Sequence, residues 1–543
     1  MGTAKLSVLN LSPEKRMSQI PDFATLDPFH GMTPEAPGNV HNLLDGSWHI
    51  ASSIRQDIPD PLHGGEFLRV PDTTDVQPFI DSLARCPKTG LHNPWKQPQR
   101  YLMLGDVCAR AAARLAEPAV EEYFVKLLQR VMPKSRLQCL NEVVVTRVFL
   151  ENFAGDRVRF LGRGFSNPGN HPGQESRGYR WPWGPVAVVA PFNFPLEIPA
   201  LQVMGALFMG NKPLVKVDSK VSAVFEQFLR LLIDCGLPPG DVDLIHCRGR
   251  VMGELIEQAK DMLRMVQFTG SSDVAEIIAD VMNGRVRVED AGFDWKVLGP
   301  DFDPSWLDYV AWQCDEDAYN AAGQKCSAQS ILFAHENWSE ALMPKLGELA
   351  GRRSLENLSL GPVLTWSNDR IKGHIEGMLS IPGSELVFGG EPLRGHAIPD
   401  VYGAYEATAV KVPLSKAAGE HFDRVTTELF GPFQVIVEYG DDDLPAVLGM
   451  LERMSHHLTA AVVSADVHFQ QQVLAASVNG TTYCGMRART TGAPQNHWFG
   501  PCGDPRAAGI GTPEAIISTW SGHREIIMDQ GPAPAGWETP ESA

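Results

Sequence analysis

Between Gly184 and Glu289, short apolar runs take turns with longer stretches whose apolar residues recur at the helical period. Val186–Ala190, bounded by Pro185 and Pro191, reads as a strand together with Leu214–Val217, Val242–His246, Met265–Phe268 and Arg285–Val288. Brief apolar runs of this kind belong in sheets covered on both faces. The intervening segments read as helices: Glu197–Met209 stopping at Gly210, Val221–Cys235 at Gly236, Met252–Lys260, and Asp273–Met282 with Ser272 placed to cap it. This alternation predicts a parallel sheet flanked by helices. Such sheets take ligands at the carboxyl ends of their strands, where Asn193, Lys216 and Gly270 fall. The G-x-G-x-x-G fingerprint is missing after the first strand, so any nucleotide is held by other means.

Outside that segment the pattern is thinner. Residues 1–60 are rich in Pro, Gly, His and Asp and read as an irregular arm, followed by helical patterns near Asp106–Ala116 and Ala119–Val131. A second α/β region runs from about Asp301 to Gly480, with Ile331–Ala334, Phe433–Glu438 and Thr459–Val463 as its strands, and Gly531–Ala543 is a Pro/Gly-rich tail. The fold class is therefore α/β, and 543 residues are enough for two or three structural units. With 43% hydrophobic and 21% charged residues the chain is globular in composition. Its 65 acidic against 47 basic residues give a formal charge of −18, which argues against a nucleic-acid partner. Nine scattered cysteines without a CxxC pair suit a reducing compartment and offer no zinc site, so no metal is expected. No apolar run reaches the roughly 18 residues needed to span a bilayer, and MGTAKLSVLNLSPEKRMSQIPDF has neither a secretory core nor Arg-rich amphipathic character.

The candidate chemistry centres on Cys326 in Gly323-Gln324-Lys325-Cys326-Ser327. A thiol can attack a carbonyl and carry the acyl group, and Lys325 beside it favours ionisation, although a free cysteine is ordinarily buried and inert. Glu289 could activate the water that releases such an acyl group; its ordinary reading is a solvated loop carboxylate. Asn193, held in Pro191-Phe192-Asn193-Phe194-Pro195, is either a turn residue or an amide donor to an oxyanion, a term of ~3 kcal/mol. Lys216 and Glu428 are each an ordinary surface charge or a partner for a ribose. His456-His457 lacks a ligand at metal spacing, Asp441-Asp442-Asp443 reads as a solvated turn, and Asn496-His497-Trp498-Phe499 as a packed aromatic turn near a pocket.

Taken in order, these stretches resemble the NAD(P)-dependent aldehyde dehydrogenase superfamily over nearly the whole chain. The closest likeness is to the plant-type, family-twelve 1-pyrroline-5-carboxylate dehydrogenases, also called glutamate γ-semialdehyde dehydrogenases. It is carried by FNFPLEIPALQVMGALFMGNKPLVKVDSKVS, VEDAGFDWKVLGPD, GQKCSAQSILF and NGTTYCGMRARTTGAPQNHWFGP. The resemblance implies Cys326 as nucleophile, Glu289 as general base and Asn193 as oxyanion donor. It implies NAD as cofactor, held by Lys216, Ser219, Gly270, Ser271, Glu428 and Phe430. The substrate is expected against Ser327, Gly492, Ala493, Phe194 and Phe499, with hydroxyls and backbone N–H groups taking its α-carboxylate without a buried cation.

Two departures stand out. Ser219 occupies a position where many NAD-preferring members carry a glutamate, and the usual Glu-Leu-Gly-Gly-Lys run is Glu289-Asp290-Ala291-Gly292-Phe293. The implied architecture is a Rossmann-like NAD-binding domain, a second α/β catalytic domain and a small β oligomerisation element. Its parts are residues 1–156 (arm and first part of the NAD-binding domain), 157–182 (oligomerisation hairpin), 183–291 (NAD-binding), 292–510 (catalytic) and 511–543 (oligomerisation segment and tail). The implied activity is oxidation of glutamate γ-semialdehyde to glutamate in a homo-oligomer of the mitochondrial matrix. Oxidation of another short acidic aldehyde such as succinate semialdehyde, or a catalytically silent protein on the same scaffold, are the alternatives.

Overall fold

Pro185 opens a run of alternating strands and helices that builds two seven-stranded sheets back to back along the chain. The computed structural model describes residues 20–49, 54–290 and 292–542; residues 1–19 of the expected N-terminal arm and Ala291 lie outside the described residues. The first sheet contains β1 (Asn42–Leu44), β2 (Ser47–His49), β3 (Pro185–Ala190), β4 (Lys212–Val217), β5 (Asp243–Leu244), β6 (Met265–Gly270) and β7 (Val286–Asp290). Its order is β7-β6-β3-β4-β5-β1-β2, and β3 to β7 are mutually parallel. Alternate residues serve opposite faces: Val186 and Val188 join one core, while Ala187, Leu214 and Val266 join another. Helix α2 is named after α1 (Arg136–Asn152) and spans Glu197–Phe208; it is buried around its whole circumference, which is why its sequence is apolar on every side.

The strand order has a consequence for ligands. The chain starts at β3, steps outward to β4 and β5, then returns past β3 to β6 and β7. The crevice between the carboxyl ends of β3 and β6 is therefore the topological switch point of the sheet.

Residues 42–49 are not an irregular arm. They form a hairpin, β1 and β2, that extends this sheet through an antiparallel pairing with β5. Asp45 (φ 50°) and Gly46 (φ 80°) make the two-residue turn, a pairing that suits the twist of a hairpin.

The second sheet is formed by β8 (Asp294–Leu298), β9 (Gln329–His335), β10 (Glu385–Phe388), β11 (Thr408–Lys411), β12 (Phe433–Tyr439), β13 (Thr459–Val463) and β14 (Thr481–Cys484). Its order is β10-β11-β12-β9-β8-β13-β14, parallel except for β10. Only residues 291–293 separate β7 from β8, so the second α/β region begins before Asp301, with the fully buried strand β8. In a separate antiparallel sheet Gln174–Pro182 is the central strand, paired with Phe165–Pro168 on one side and Ser521–Asp529 on the other. The segment expected as a hairpin from residue 157 starts instead in a 3-10 helix, Gly155–Gly162, whose Val158 and Leu161 are buried in the main core. Among the described residues no helix is long and apolar enough to cross a membrane.

Candidate active site

Four pieces of chain wall a cavity of about 420 Å³: α1, the start of α2, the loop ahead of β9, and residues 489–499. Cys326 is half-buried there, with Ser327, Gly492, Ala493, Phe194 and Phe499 around the same space. The loop carrying Cys326 leaves helix α4 through Ala321 and Ala322; α3 (Ser272–Val281) precedes α4, which spans Leu307–Tyr319. Both alanines are left-handed, at φ 54° and 53°, a conformation costing an L-residue roughly 1–2 kcal/mol. Polar braces hold the turn. Ala321 N donates to Gln138 Oε1 (3.2 Å), and buried Gln324 donates to Ala321 O (3.1 Å) and Pro362 O (2.9 Å) while accepting from Leu364 N (2.7 Å). The glutamine beside the cysteine is thus a bracket for the nucleophile loop.

Glu289 ends near Cys326 because the two backbones touch. A Cβ on Gly292 would lie 2.0 Å from the Cys326 carbonyl oxygen, so only glycine permits this approach. Glu289 is 4% exposed, not a solvated loop acid, and neither of its oxygens has an ordinary hydrogen bond among the described residues. Burial raises it to about 7; the Cys326 thiol pulls it down, through a contact short of ordinary hydrogen-bond geometry, and Asp290 pushes it up. The thiol itself is pushed well up by burial and by the charge of Glu289. Lys325 does not ionise it: its ammonium turns to Thr491 Oγ1 (2.8 Å) and Glu316 O (3.1 Å), and burial lowers it to about 8. The charged group that acts most strongly on the Cys326 thiol is Glu289.

Asn193 is 2% exposed, and its side-chain amide makes no hydrogen bond to a described residue. Its position is set through the backbone. Lys134 Nζ donates to Asn193 O (3.0 Å) and lies 4.3 Å from the Phe194 ring centroid. The same ammonium pairs with Glu142 Oε2 at 2.6 Å, both groups fully buried. Glu142 Oε1 in turn accepts from Leu196 N (2.8 Å) and Glu197 N (3.2 Å), satisfying the open start of α2. Lys134 and Glu142 escaped the sequence reading because charged residues are ordinarily exposed and no motif surrounds them.

The expected anchor, Thr491-Gly492-Ala493, hangs from a second buried ion pair. Asp317 accepts from Thr490 N (2.8 Å) and Thr491 N (3.3 Å) and pairs with Lys296 Nζ at 2.8 Å. Gly492 has no alternative: a Cβ there would fall 1.5 Å from the Tyr483 hydroxyl, which is engaged with His497 Nε2 at 2.7 Å. The expectation of a pocket without a buried cation is corrected here, since Lys134, Lys325 and the exposed Arg489 all line it.

The expected cofactor residues gather elsewhere, and none of them lines the cavity that holds Cys326. Lys216, near the end of β4, is half-buried, and its ammonium reaches only Val217 O at a weak 3.5 Å. Ser219 lies just beyond that strand. Gly270 ends β6, and Ser271, not Ser272, is the N-cap of α3; its hydroxyl makes no cap, leaving the first N–H groups of that helix unclaimed by a side chain. Glu428 is half-buried and raised to about 8 by burial, against a Gly292 N–H that lowers it. Phe430 packs edge-on against Phe192 at 5.9 Å. A weakly bonded ammonium at the end of β4 and an uncapped helix start after β6 fit a ligand that joins phosphates to ribose hydroxyls.

Residues 92–507 match the aldehyde dehydrogenase family. The chain belongs to that family. An aldehyde dehydrogenase relative from Arabidopsis thaliana, named delta-1-pyrroline-5-carboxylate dehydrogenase 12A1, mitochondrial, is 57% identical over 545 residues, covering 99% of this chain and 96% of the relative. Among solved structures, an NAD-dependent aldehyde dehydrogenase from Sinorhizobium meliloti superposes with a TM-score of 0.79 at 20% identity, covering 95% of this chain and 99% of that one. Betaine aldehyde dehydrogenase from Staphylococcus aureus, in complex with NAD+, gives 0.78 at 18% identity, over 92% of this chain and 96% of that one. These likenesses extend the aldehyde dehydrogenase fold across both sheets.

Proposed function

We propose that the chain oxidises L-glutamate γ-semialdehyde, the open form of 1-pyrroline-5-carboxylate, to L-glutamate with NAD as cofactor. The observation that carries the reading is the pairing of the Cys326 thiol with a buried, otherwise unsatisfied Glu289 beside one cavity whose far wall is the Thr491–Ala493 loop. The 57% identity to the Arabidopsis dehydrogenase supports the choice of aldehyde.

Cys326 attacks the aldehyde carbon as its proton passes to Glu289, giving a tetrahedral thiohemiacetal joined through sulfur, with the negative charge on the former carbonyl oxygen. The free amide of Asn193 and the N–H of Cys326 are the donors for that oxyanion. Lys216, Ser219, Gly270, Ser271, Glu428 and Phe430 would hold NAD, which would supply the two-electron acceptor needed for the adduct to become a thioester. Glu289, having returned its proton to solvent, then takes one from water, and the hydroxide attacks the thioester to release the carboxylate and restore Cys326. Ser327 and the N–H groups of Gly492 and Ala493 hold the distal carboxylate, while Phe194 and Phe499 flank the chain of the substrate.

The antiparallel sheet formed by residues 165–168, 174–182 and 521–529 is the assigned homo-oligomer contact; Phe165 and Ile527 stand more than half exposed on it, at 54% and 64%. The name of the Arabidopsis relative supports a mitochondrial location. The deciding assay follows NADH formation from 1-pyrroline-5-carboxylate, with succinate semialdehyde as rival substrate and NADP as rival cofactor. A strong NAD-dependent signal that disappears in Cys326→Ala is expected. Activity confined to succinate semialdehyde would overturn the substrate and leave the thiol chemistry standing.

A further inference from the structure

We propose that Glu197 receives the α-ammonium group of the substrate and so decides between an amino-acid aldehyde and its deaminated counterpart. This rests on the activity proposed above and assigns one side chain to its specificity.

Glu197 is the first residue of α2, four beyond Asn193, and its side chain lines the cavity together with Cys326 and Ser327. It is 9% exposed, yet no described residue donates a hydrogen bond to its carboxyl group, and its backbone N–H donates to Glu142. The contrast with Glu142, next to it, is sharp. Glu142 is fully buried and has three donors, the Lys134 ammonium and the N–H groups of Leu196 and Glu197. Lys134 is committed to Glu142 and to the Asn193 carbonyl, and among the described residues no cation is paired with Glu197.

A buried acid without a donor is costly unless something outside the protein completes it. Burial and the neighbouring Glu142 and Glu289 push Glu197 up to about 8, and Lys134 alone pulls it down. Its neighbours thus disfavour an anion and favour the arrival of a cation. Glu197 and Cys326 line the same cavity, and the charge of Glu197 helps to raise the thiol. The same cavity is lined by Ser327 and by residues 491–493, whose hydroxyls and backbone N–H groups suit a carboxylate. A substrate with ammonium and carboxylate on one carbon meets complementary chemistry on two sides; a plain acidic aldehyde meets it on one.

The test compares two aldehydes of equal length, glutamate γ-semialdehyde and 5-oxopentanoate, with wild type and Glu197→Gln, both supplied with NAD. In the variant, KM for glutamate γ-semialdehyde is expected to rise about 30-fold, the loss typical of one charged hydrogen bond, while kcat/KM for 5-oxopentanoate stays within about 3-fold. Competitive inhibition by L-glutamate, but not by glutarate, should weaken in parallel, which reads binding without turnover. Each ratio is taken within one preparation, so a partly folded variant leaves it intact, and Glu197→Asp should fall between the two. Equal losses on both aldehydes would overturn the assignment in favour of a role in holding the oxyanion loop or moving protons, and no loss on either would overturn it outright. If the wild-type enzyme itself ignores glutamate γ-semialdehyde while oxidising 5-oxopentanoate, the proposed activity falls with it.

Discussion

The two sheets feed the site from opposite ends of their strands. In the first, the residues that matter follow the carboxyl ends: Asn193 after β3, Lys216 in β4, Gly270 and Ser271 at the end of β6, Glu289 in β7. In the second, Cys326 and Ser327 lie ahead of β9 and Glu428 and Phe430 ahead of β12, while the 491–493 loop alone follows a strand, β14. The first arrangement is general to open parallel sheets and needs only short turns into helices. The second hangs chemistry on longer loops, and each loop is braced by buried polar groups: Gln324 for the nucleophile, Asp317 and Lys296 for residues 490–491. Position on the first side follows from topology, whereas on the second it depends on side chains that have no other task.

The hardest blow to this division of labour falls where the two sides meet. Cys326→Ala should lower turnover by at least about 10⁴-fold, as loss of a covalent nucleophile does, in the NADH assay with the melting temperature unchanged. Glu289→Gln should slow both thioester formation and its hydrolysis, because the Cys326 proton and the water proton both pass to Glu289, and steady turnover should fall by about 10²–10³-fold; a normal steady rate would remove the role given to Glu289. Because Glu289 stands near 7, water activation is expected to fade as pH drops through that value. The sign for stability is opposite. Folding favours the protonated form, so the ionised carboxylate costs stability increasingly as pH rises from its ordinary 4.5 through 7. Glu289→Gln should therefore melt about 1–3 °C higher at pH 8 and no higher at pH 5.

The next test separates position from stability on the first side. Lys134→Met leaves Glu142 buried without its cation, an error that costs about 3–5 kcal/mol when one partner of a buried pair is removed. Replacing both, Lys134→Met with Glu142→Leu, should restore much of the stability. It should not restore kcat, because the Asn193 carbonyl still lacks its donor and the start of α2 has lost its acceptor. Chemical denaturation and kcat measured on the same proteins decide the matter; recovery of both together would show that the pair is only structural.

On the second side, Lys325→Met removes the link from the nucleophile loop to Thr491. An increase of about 10-fold in KM for the amino-acid aldehyde is expected, roughly the worth of one charged hydrogen bond, with little change for propionaldehyde, which does not reach the anchor. A matching loss for propionaldehyde would mean that Lys325 serves the thiol after all.

This asymmetry also explains what the sequence made legible. The strands of the first sheet carry their own signal: brief runs such as Val186–Ala190, buried on both faces and stopped by Pro or Gly. Its edge hairpin was hidden because Asp45-Gly46 sits in a stretch dominated by Pro, Gly and His, where a turn signal does not stand out. Helix α1 gave little periodicity, since buried Glu142 and Thr146 interrupt the apolar face that Val143 and Leu150 would mark. The reacting groups could be named through the likeness of whole motifs. Their braces, Lys134, Glu142, Asp317 and Lys296, could not, because a charged residue is read as exposed until tertiary packing buries it.

The smallest effect probes the backbone strain stored in the turn that leads to Cys326. Ala321 holds φ 54° and ψ 31°, a conformation that glycine adopts without the Cβ penalty. Ala321→Gly should remove a native-state cost of about 1–2 kcal/mol and add an entropic cost in the unfolded chain of about 0.4–1 kcal/mol. The net is a gain of roughly 0.5–1 kcal/mol, seen as a small rightward shift in a urea melt. Turnover should hold, because Gln138 and Gln324 bond the backbone of this residue and not its methyl. A destabilised but fully active variant would show that packing of the methyl outweighs the strain. A stabilised variant with falling kcat would instead show that the strained turn itself aims Cys326, making the loop's geometry, and not its polar braces alone, the device that substitutes for strand topology on this side of the site.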